Sequence, residues 1–204
     1  MLLTPSWHAL RIRFRNIVAR YLDSYVVKPF ILLGLTPNMV TALGVLAHIP
    51  ASYMISRGEF LVGGILLLFA SAFDMVDGAL ARRLVRSSPG GALLDSIADR
   101  VSEAVCLIGL LLFYLSSDSP IFIEIVLVFL TMFISSMVSY IRARGEGLGV
   151  DCQVGLMTRP ERVVVLATGL ILHLVVVAMA VIVVLSVLTA FHRVWHIKKE
   201  ISST

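Results

Sequence analysis

Four aspartates constrain this chain more than any other feature, because they lie in segments that are otherwise apolar. Asp74 and Asp77 are three residues apart, and Asp95 and Asp99 are four apart, so on helices each pair shares one face. An aspartate near the bilayer centre costs about 2.5–3.5 kcal/mol on insertion scales, which makes intramembrane acids functional candidates. Four carboxylates facing one another would repel unless cations neutralised them. The stretch therefore predicts a metal site at these four residues.

The composition identifies the class of protein around this site. Of the 204 residues, 58% are hydrophobic and 15% are charged, whereas soluble proteins average about 25% charged. The positive-inside rule explains the net charge of +4 better than a nucleic-acid partner does, so we expect no nucleic acid. Cys106 and Cys152 offer no disulfide framework and no metal-ligand spacing. The chain is predicted to be a polytopic membrane protein.

We predict an all-α integral membrane protein with six transmembrane helices preceded by an N-terminal amphipathic interfacial helix. Residues 1–29 form that juxtamembrane segment, since apolar and aromatic residues recur every three or four positions over 5–25 with arginines between them. The alternative is a helix packed on a soluble partner. Residues 30–204 form the six-helix domain.

The membrane spans follow from the apolar runs. The last run, 161–197, is far longer than one crossing of about 30 Å at 1.5 Å per residue, so it is divided into two spans that turn near His173. The predicted spans are 38–55, 60–82, 91–115, 121–141 and the two halves of 161–197.

The basic residues orient these spans. Both termini, the connector 83–90 and the loop 142–160 fall on one side, together with all but Arg57 of the 17 Lys and Arg residues. By the positive-inside rule that side is the cytoplasm. We therefore expect a multi-pass protein of the cell membrane whose site faces the cytoplasm, because the aspartates lie at the same end of their helices.

The carboxylates suit hard cations such as Mg²⁺ or Mn²⁺ rather than Zn²⁺. Two such ions can clamp the attacking and leaving oxygens of a phosphoryl transfer. Gly78 leaves room for a ligand against the backbone, Gly90-Gly91 would admit a phosphate, and Arg82 is placed to meet phosphate charge. The alternatives are a charge network without chemistry or a divalent-cation transporter. Permeation needs acids distributed along a path, whereas these are concentrated at one end.

The motif D-x2-D-G-x2-A-R-x8-G-x3-D-x3-D is met without departure by Asp74, Asp77, Gly78, Ala81, Arg82, Gly91, Asp95 and Asp99. It resembles the signature of the CDP-alcohol phosphotransferase family of phospholipid synthases. Eight fixed positions over 26 residues make the signal specific, and the resemblance covers essentially the whole chain.

The resemblance implies a reaction and residue roles. A hydroxyl of an alcohol acceptor attacks the lipid-side phosphorus of a CDP-linked lipid such as CDP-diacylglycerol, and CMP leaves. Asp74, Asp77 and Asp95 would be ligands of two Mg²⁺ ions, with Mn²⁺ as an alternative, and Asp99 would be both a ligand and the base. A homodimer is also implied. The residues that would hold the CDP-lipid are Asn38, Met39, Val40, Thr41, Gly78, Arg82 and Ser88.

A second stretch bears on the acceptor, since Arg142, Arg144, Arg159 and Arg162 are predicted at the cytoplasmic mouth of the site. The positive-inside rule alone would place arginines there. The alternative is a pocket for an acceptor that carries its own phosphate, because arginine binds phosphate bidentately.

These segments resemble the phosphatidylinositol phosphate synthase branch, whose acceptor is inositol 1-phosphate. By this resemblance Arg142 and Arg162 would hold the acceptor phosphate, with Arg193 as a third contact and Arg159 beside them. Thr158 stands where relatives often have an acidic residue. Phosphatidylglycerol phosphate synthase and archaetidylinositol phosphate synthase stay open as alternatives.

Overall fold

A computed structural model describes residues 27–84, 88–117 and 122–203. Within these ranges the chain is helical and contains no strand. The predicted interfacial helix over 5–25 lies outside the described residues. The helices are α1 Val27–Leu32, α2 Pro37–Ser56, α3 Phe60–Arg83, α4 Pro89–Leu115, α5 Phe122–Gly147, α6 Arg159–Ile171 and α7 Val175–Ser203.

Helices α2 to α7 lie where the six spans were predicted, so the all-helical expectation is confirmed. Four of them, α2, α3, α5 and α7, are long and apolar enough to cross a membrane. Helix α6 has 13 residues and is about 20 Å long, which is shorter than a hydrocarbon core of about 30 Å. Helix α4 is long but carries Asp95, Asp99 and Glu103. Crossings by α4 and α6 stay a prediction.

The helix ends follow from local sequence. Gly34 and Gly58 have φ of 67° and 78°, a conformation that glycine adopts without steric cost, and they separate α1, α2 and α3. The Glu161 carboxylate accepts a hydrogen bond from the Thr158 backbone N–H at 3.0 Å, which is one half of a capping box. It also accepts a hydrogen bond from the Thr158 hydroxyl. His173, at φ 57°, lies in the predicted turn between α6 and α7.

The contacts divide the chain into two compact units. The first takes its described residues from before Ala47 and from Ser71–Ala98, and the second from Ala47–Ala70 and from Asp99 on. In the first unit, Phe30 and Phe73 pack edge to face with ring centroids 6.4 Å apart. They border a buried cluster of Val27, Val40, Val76, Ala79 and Leu80.

In the second unit, α7 packs against both α5 and α6. Small residues allow close approach there. A Cβ on Gly109 would lie 2.5 Å from the Ser52 carbonyl oxygen, and one on Gly169 would overlap the side chain of Ala178. The Ser52 hydroxyl also donates to the carbonyl of Val105 at 2.6 Å. These contacts fix α2 to α4 and α6 to α7 within that unit.

Candidate functional site

The first unit contains three of the four predicted metal ligands. Asp74 and Asp77 lie on α3, and Asp95 lies on α4. The Asp77 side chain is buried, and its Oδ2 accepts a hydrogen bond of 2.6 Å from the Thr41 hydroxyl. Asp77 interacts electrostatically with both Asp95 and Asp74. The Asp77 carboxylate thus lies close enough to the other two for electrostatic interaction with each.

The donor set is compatible with a hard divalent cation. Three interacting carboxylates offer only oxygen ligands, and a cation would relieve the repulsion among them. In the part of the chain that the structure describes, no three His, Cys, Asp or Glu side chains are already arranged around a common metal position.

The predicted CDP-lipid residues lie at the start of α2, near the end of α3 and just before α4. Ser88 Oγ accepts a hydrogen bond from the Gly91 N–H at 3.1 Å, and a Cβ on Gly91 would lie 3.6 Å from Asn38 Oδ1. A Cβ on Gly78 would lie 3.6 Å from Arg82 Nη1, so the Arg82 side chain extends back over Gly78. These residues thus form two local contact groups within the first unit: Asn38, Ser88 and Gly91 in one, and Gly78 and Arg82 in the other.

The residues of the segment Asn38–Thr41 differ in their burial and contacts. The Met39 side chain is exposed, whereas Val40 is fully buried in the apolar cluster. Thr41 is buried, and its hydroxyl is engaged with Asp77 and also with the Pro37 carbonyl at 3.1 Å. The structure therefore places Val40 in the core and Thr41 beside the carboxylates.

The second unit contains Asp99, the predicted base. Its Oδ1 lies 2.7 Å from Arg159 Nη1. Arg159, the first residue of α6, thus contacts the carboxylate in this structure. The sequence predicted Arg159 as an acceptor contact. The geometry adds that Arg159 forms an ion pair with Asp99 and orients its carboxylate.

Arg162 forms a second ion pair between α4 and α6. Its Nε and Nη2 donate to the two carboxylate oxygens of Glu103, each at 2.7 Å, and its Nη1 donates to the Met157 carbonyl at 3.5 Å. Sequence reasoning gave Glu103 no role. The available signal was spacing: Asp99 and Glu103 are four residues apart and Arg159 and Arg162 are three apart, so each pair shares a helix face.

Arg193 joins two segments of backbone in the same unit. It is buried, and its Nε and Nη1 donate to the carbonyls of Val154 at 2.9 Å and Val138 at 2.6 Å. It also interacts electrostatically with Arg142 and Arg162. Arg193 thus interacts with two of the other three predicted acceptor arginines.

Arg142 differs from these buried arginines in its exposure. Its Nε lies 2.8 Å from Glu146 Oε1 on the same helix, and both side chains are about half exposed. Exposed pairs of this kind contribute about 0.2–1 kcal/mol. Arg142 can therefore exchange Glu146 for a phosphate at little cost.

Comparison with known proteins shows one family throughout. Residues 34–195 match the model of the CDP-alcohol phosphatidyltransferase family. The archaetidylinositol phosphate synthase of Methanothermobacter thermautotrophicus is 32% identical over 157 residues, which cover 77% of this chain and 75% of that protein.

Two crystal structures of Mycobacterium tuberculosis phosphatidylinositol phosphate synthase are also similar, each at 28% identity. The one with CDP-DAG bound has a TM-score of 0.78 and covers 86% of this chain and 92% of the other. The complex with manganese and citrate has a TM-score of 0.79, with coverage of 86% and 88%.

Proposed function

This chain belongs to the CDP-alcohol phosphatidyltransferase family, and we propose that it transfers the phosphatidyl group of CDP-diacylglycerol to inositol 1-phosphate. The acceptor hydroxyl forms a bond to the lipid-side phosphorus, the bond to the CMP oxygen breaks, and CMP leaves. The observation that carries the acceptor is the electrostatic interaction of the buried Arg193 with Arg142 and Arg162. The fork of a guanidinium suits a phosphate monoester.

The metal ligands of this proposal are Asp74, Asp77, Asp95 and Asp99, which would hold two Mg²⁺ or Mn²⁺ ions. When bound, such ions neutralise phosphate charge and orient the reacting oxygens. The electrostatic interactions of Asp77 with Asp74 and Asp95 support this assignment, as does the manganese complex of the M. tuberculosis enzyme. Asp95 and Asp99 are one turn apart on α4, so both present oxygens to one side of that helix.

Asp99 takes the proton of the acceptor hydroxyl in this scheme. A base must be ionised and correctly oriented, and the contact with Arg159 serves both needs.

Asn38, Met39, Gly78, Arg82 and Ser88 would bind the CDP-lipid. Val40 and Thr41 support that segment through the apolar cluster and through Asp77.

We further propose six crossings of the cell membrane with the site open to the cytoplasm, as the distribution of lysine and arginine favours. The partners are the lipid bilayer and the two substrates, and the family resemblance favours a homodimer. Archaetidylinositol phosphate synthase is the second candidate, because that relative is 32% identical.

The test is CMP release by the purified chain with Mg²⁺. The donor is CDP-diacylglycerol or its archaeal ether analogue, and the acceptors are inositol 1-phosphate, glycerol 3-phosphate, inositol and serine. We expect turnover with inositol 1-phosphate and none with free inositol. Preference for glycerol 3-phosphate would instead identify a phosphatidylglycerol phosphate synthase. Preference for serine or inositol would contradict a phosphorylated acceptor, and preference for the ether donor would identify the second candidate.

A further inference from the structure

Glu103 is a largely buried acid outside the family motif. It binds Arg162, the more buried of the two arginines on α6. Its side chain is 14% exposed and that of Arg162 is 3% exposed. Two charge-assisted bonds of 2.7 Å join them. Building on the proposed function, we propose that Glu103 is a positioning residue that fixes Arg162 for the phosphate of the acceptor.

The hydrogen bonds decide which part of Arg162 can contact a phosphate. A guanidinium has five N–H donors. Glu103 occupies Nε and one N–H of Nη2, and the Met157 carbonyl accepts from Nη1. Among the residues that the structure describes, these bonds leave one N–H on each of Nη1 and Nη2 for a ligand. Glu103 therefore selects the part of the guanidinium that can meet an anion.

Burial makes the ion pair between Glu103 and Arg162 costly to separate. Separating a buried ion pair leaves an uncompensated charge in a poorly solvated place, which is strongly unfavourable. The phosphate is therefore expected to bind Arg162 without displacing Glu103. The Arg142–Glu146 pair is the opposite case, since its side chains are 49% and 46% exposed and it exchanges easily.

The alternative role for Glu103 is charge compensation alone. Arg162 and Arg193 repel each other, and a nearby carboxylate offsets that repulsion. If this were its whole role, neutralising Glu103 would make the site more positive and would strengthen anion binding. Positioning predicts the opposite sign, because a neutral or shorter side chain cannot keep both bonds to Arg162.

The experiment compares Glu103→Gln and Glu103→Asp with wild type in CMP release, using CDP-diacylglycerol and inositol 1-phosphate. We expect both variants to raise the KM for the acceptor about tenfold, the cost of one charge-assisted hydrogen bond. The KM for CDP-diacylglycerol should stay unchanged. The control Glu146→Gln removes the exposed competitor of Arg142, so its acceptor KM should stay the same or fall.

Each outcome decides between the alternatives. An acceptor KM that is unchanged or lower in Glu103→Gln overturns the positioning role. Should that variant fail to fold, Glu103→Asp keeps the charge and alters only the geometry, and a wild-type KM there overturns it equally. A wild-type protein that uses only uncharged acceptors overturns the proposed function, and the role of Glu103 with it. A phosphorylated acceptor with unaffected variants overturns the role of Glu103 alone.

Discussion

At the scale of single residues, the contact between Thr41 and Asp77 connects the predicted CDP-lipid residues with the predicted metal ligands. Thr41 belongs to the segment expected to hold the lipid donor, yet its hydroxyl donates to a buried metal-ligand candidate at 2.6 Å. Partners that orient a metal ligand typically affect metal affinity 10–100-fold. Thr41 is thus expected to act on the donor through the metal site.

Thr41→Val should therefore weaken metal binding, because valine keeps the shape of threonine but loses the donor to Asp77. We expect Mn²⁺ affinity, measured by electron paramagnetic resonance of the purified protein, to fall about tenfold. The Mg²⁺ concentration for half-maximal CMP release should rise in parallel. Thr41→Ser keeps the hydroxyl and is the matched control. Equal Mn²⁺ affinity in all three proteins would show that the hydrogen bond does not orient Asp77.

Asp99→Asn tests the predicted base. The amide cannot accept the acceptor proton at neutral pH, so we expect CMP release to fall by at least about 100-fold, the lower contribution of a general base. Folding should be retained, since the Asp99 side chain is 30% exposed. The thermal midpoint checks that requirement. A turnover close to wild type would remove Asp99 from this role.

At the residue level, the sequence predicted the geometry that spacing within one helix decides, and it did not predict contacts between distant segments. Asp74 and Asp77 lie on one helix as their three-residue spacing predicts. The contact between Glu103 and Arg162 joins residues 59 apart in sequence. Spacing within each helix indicates which residues share a face, but it does not identify the pair that meets across the two helices. Arg193 stays predicted as a phosphate contact, and the structure adds that its Nε and Nη1 donate to backbone carbonyls.

At the scale of helices, close packing depends on a few glycines in the second unit. Gly109 on α4 faces the backbone of Ser52 on α2, where an added Cβ would lie 2.5 Å from the carbonyl oxygen. Backbone atoms cannot move aside as the end of a flexible side chain can. This contact therefore sets the distance between the two helices.

Gly109→Ala should destabilise the protein although alanine is the better helix former. Relieving the overlap requires α2 and α4 to move apart, at a cost of about 1–3 kcal/mol for overpacking. The thermal midpoint in detergent should fall measurably. Gly147→Ala is the control, because Gly147 also lies on a helix and has nothing within 4 Å of the added Cβ. A midpoint for Gly109→Ala equal to that control would contradict the close approach.

The helix boundaries were largely readable from sequence, including those of the short helix α6. Thr36-Pro37, Gly58 and the turn at His173 gave the starts and ends of α2, α3 and α7 to within a few residues. Dividing the run 161–197 at a turn near His173 placed the end of α6 to within a few residues, and the observed helix, Arg159–Ile171, has 13 residues. That turn is fixed by backbone conformation at His173, which hydropathy does not report.

At the scale of the whole molecule, the exposed surface of the long helices is apolar. Large side chains such as Phe69, Phe129, Phe133 and Phe191 are more than half exposed, which is typical of a surface that faces lipid. Charge, in contrast, is concentrated at one predicted side of the membrane, with Arg57 alone opposite among the 17 lysines and arginines. The surface and the charges together favour a membrane orientation that can be measured.

Site-directed labelling with a membrane-impermeant maleimide tests this orientation. Glu59 lies in the α2–α3 turn and Gly147 ends α5, and both are exposed. Under the proposed topology, Glu59→Cys should react in intact cells, whereas Gly147→Cys should react only after permeabilisation.

The native cysteines provide a low background for this experiment. Cys106 and Cys152 are buried, and burial raises the pKa of the Cys152 thiol. A raised pKa leaves less of the reactive thiolate at neutral pH, so wild type should label slowly and should gain reactivity only as the pH is increased. Labelling of Gly147→Cys in intact cells, with Glu59→Cys protected, would reverse the orientation and place the proposed site on the outer face, away from a cytoplasmic supply of nucleotide-linked lipid.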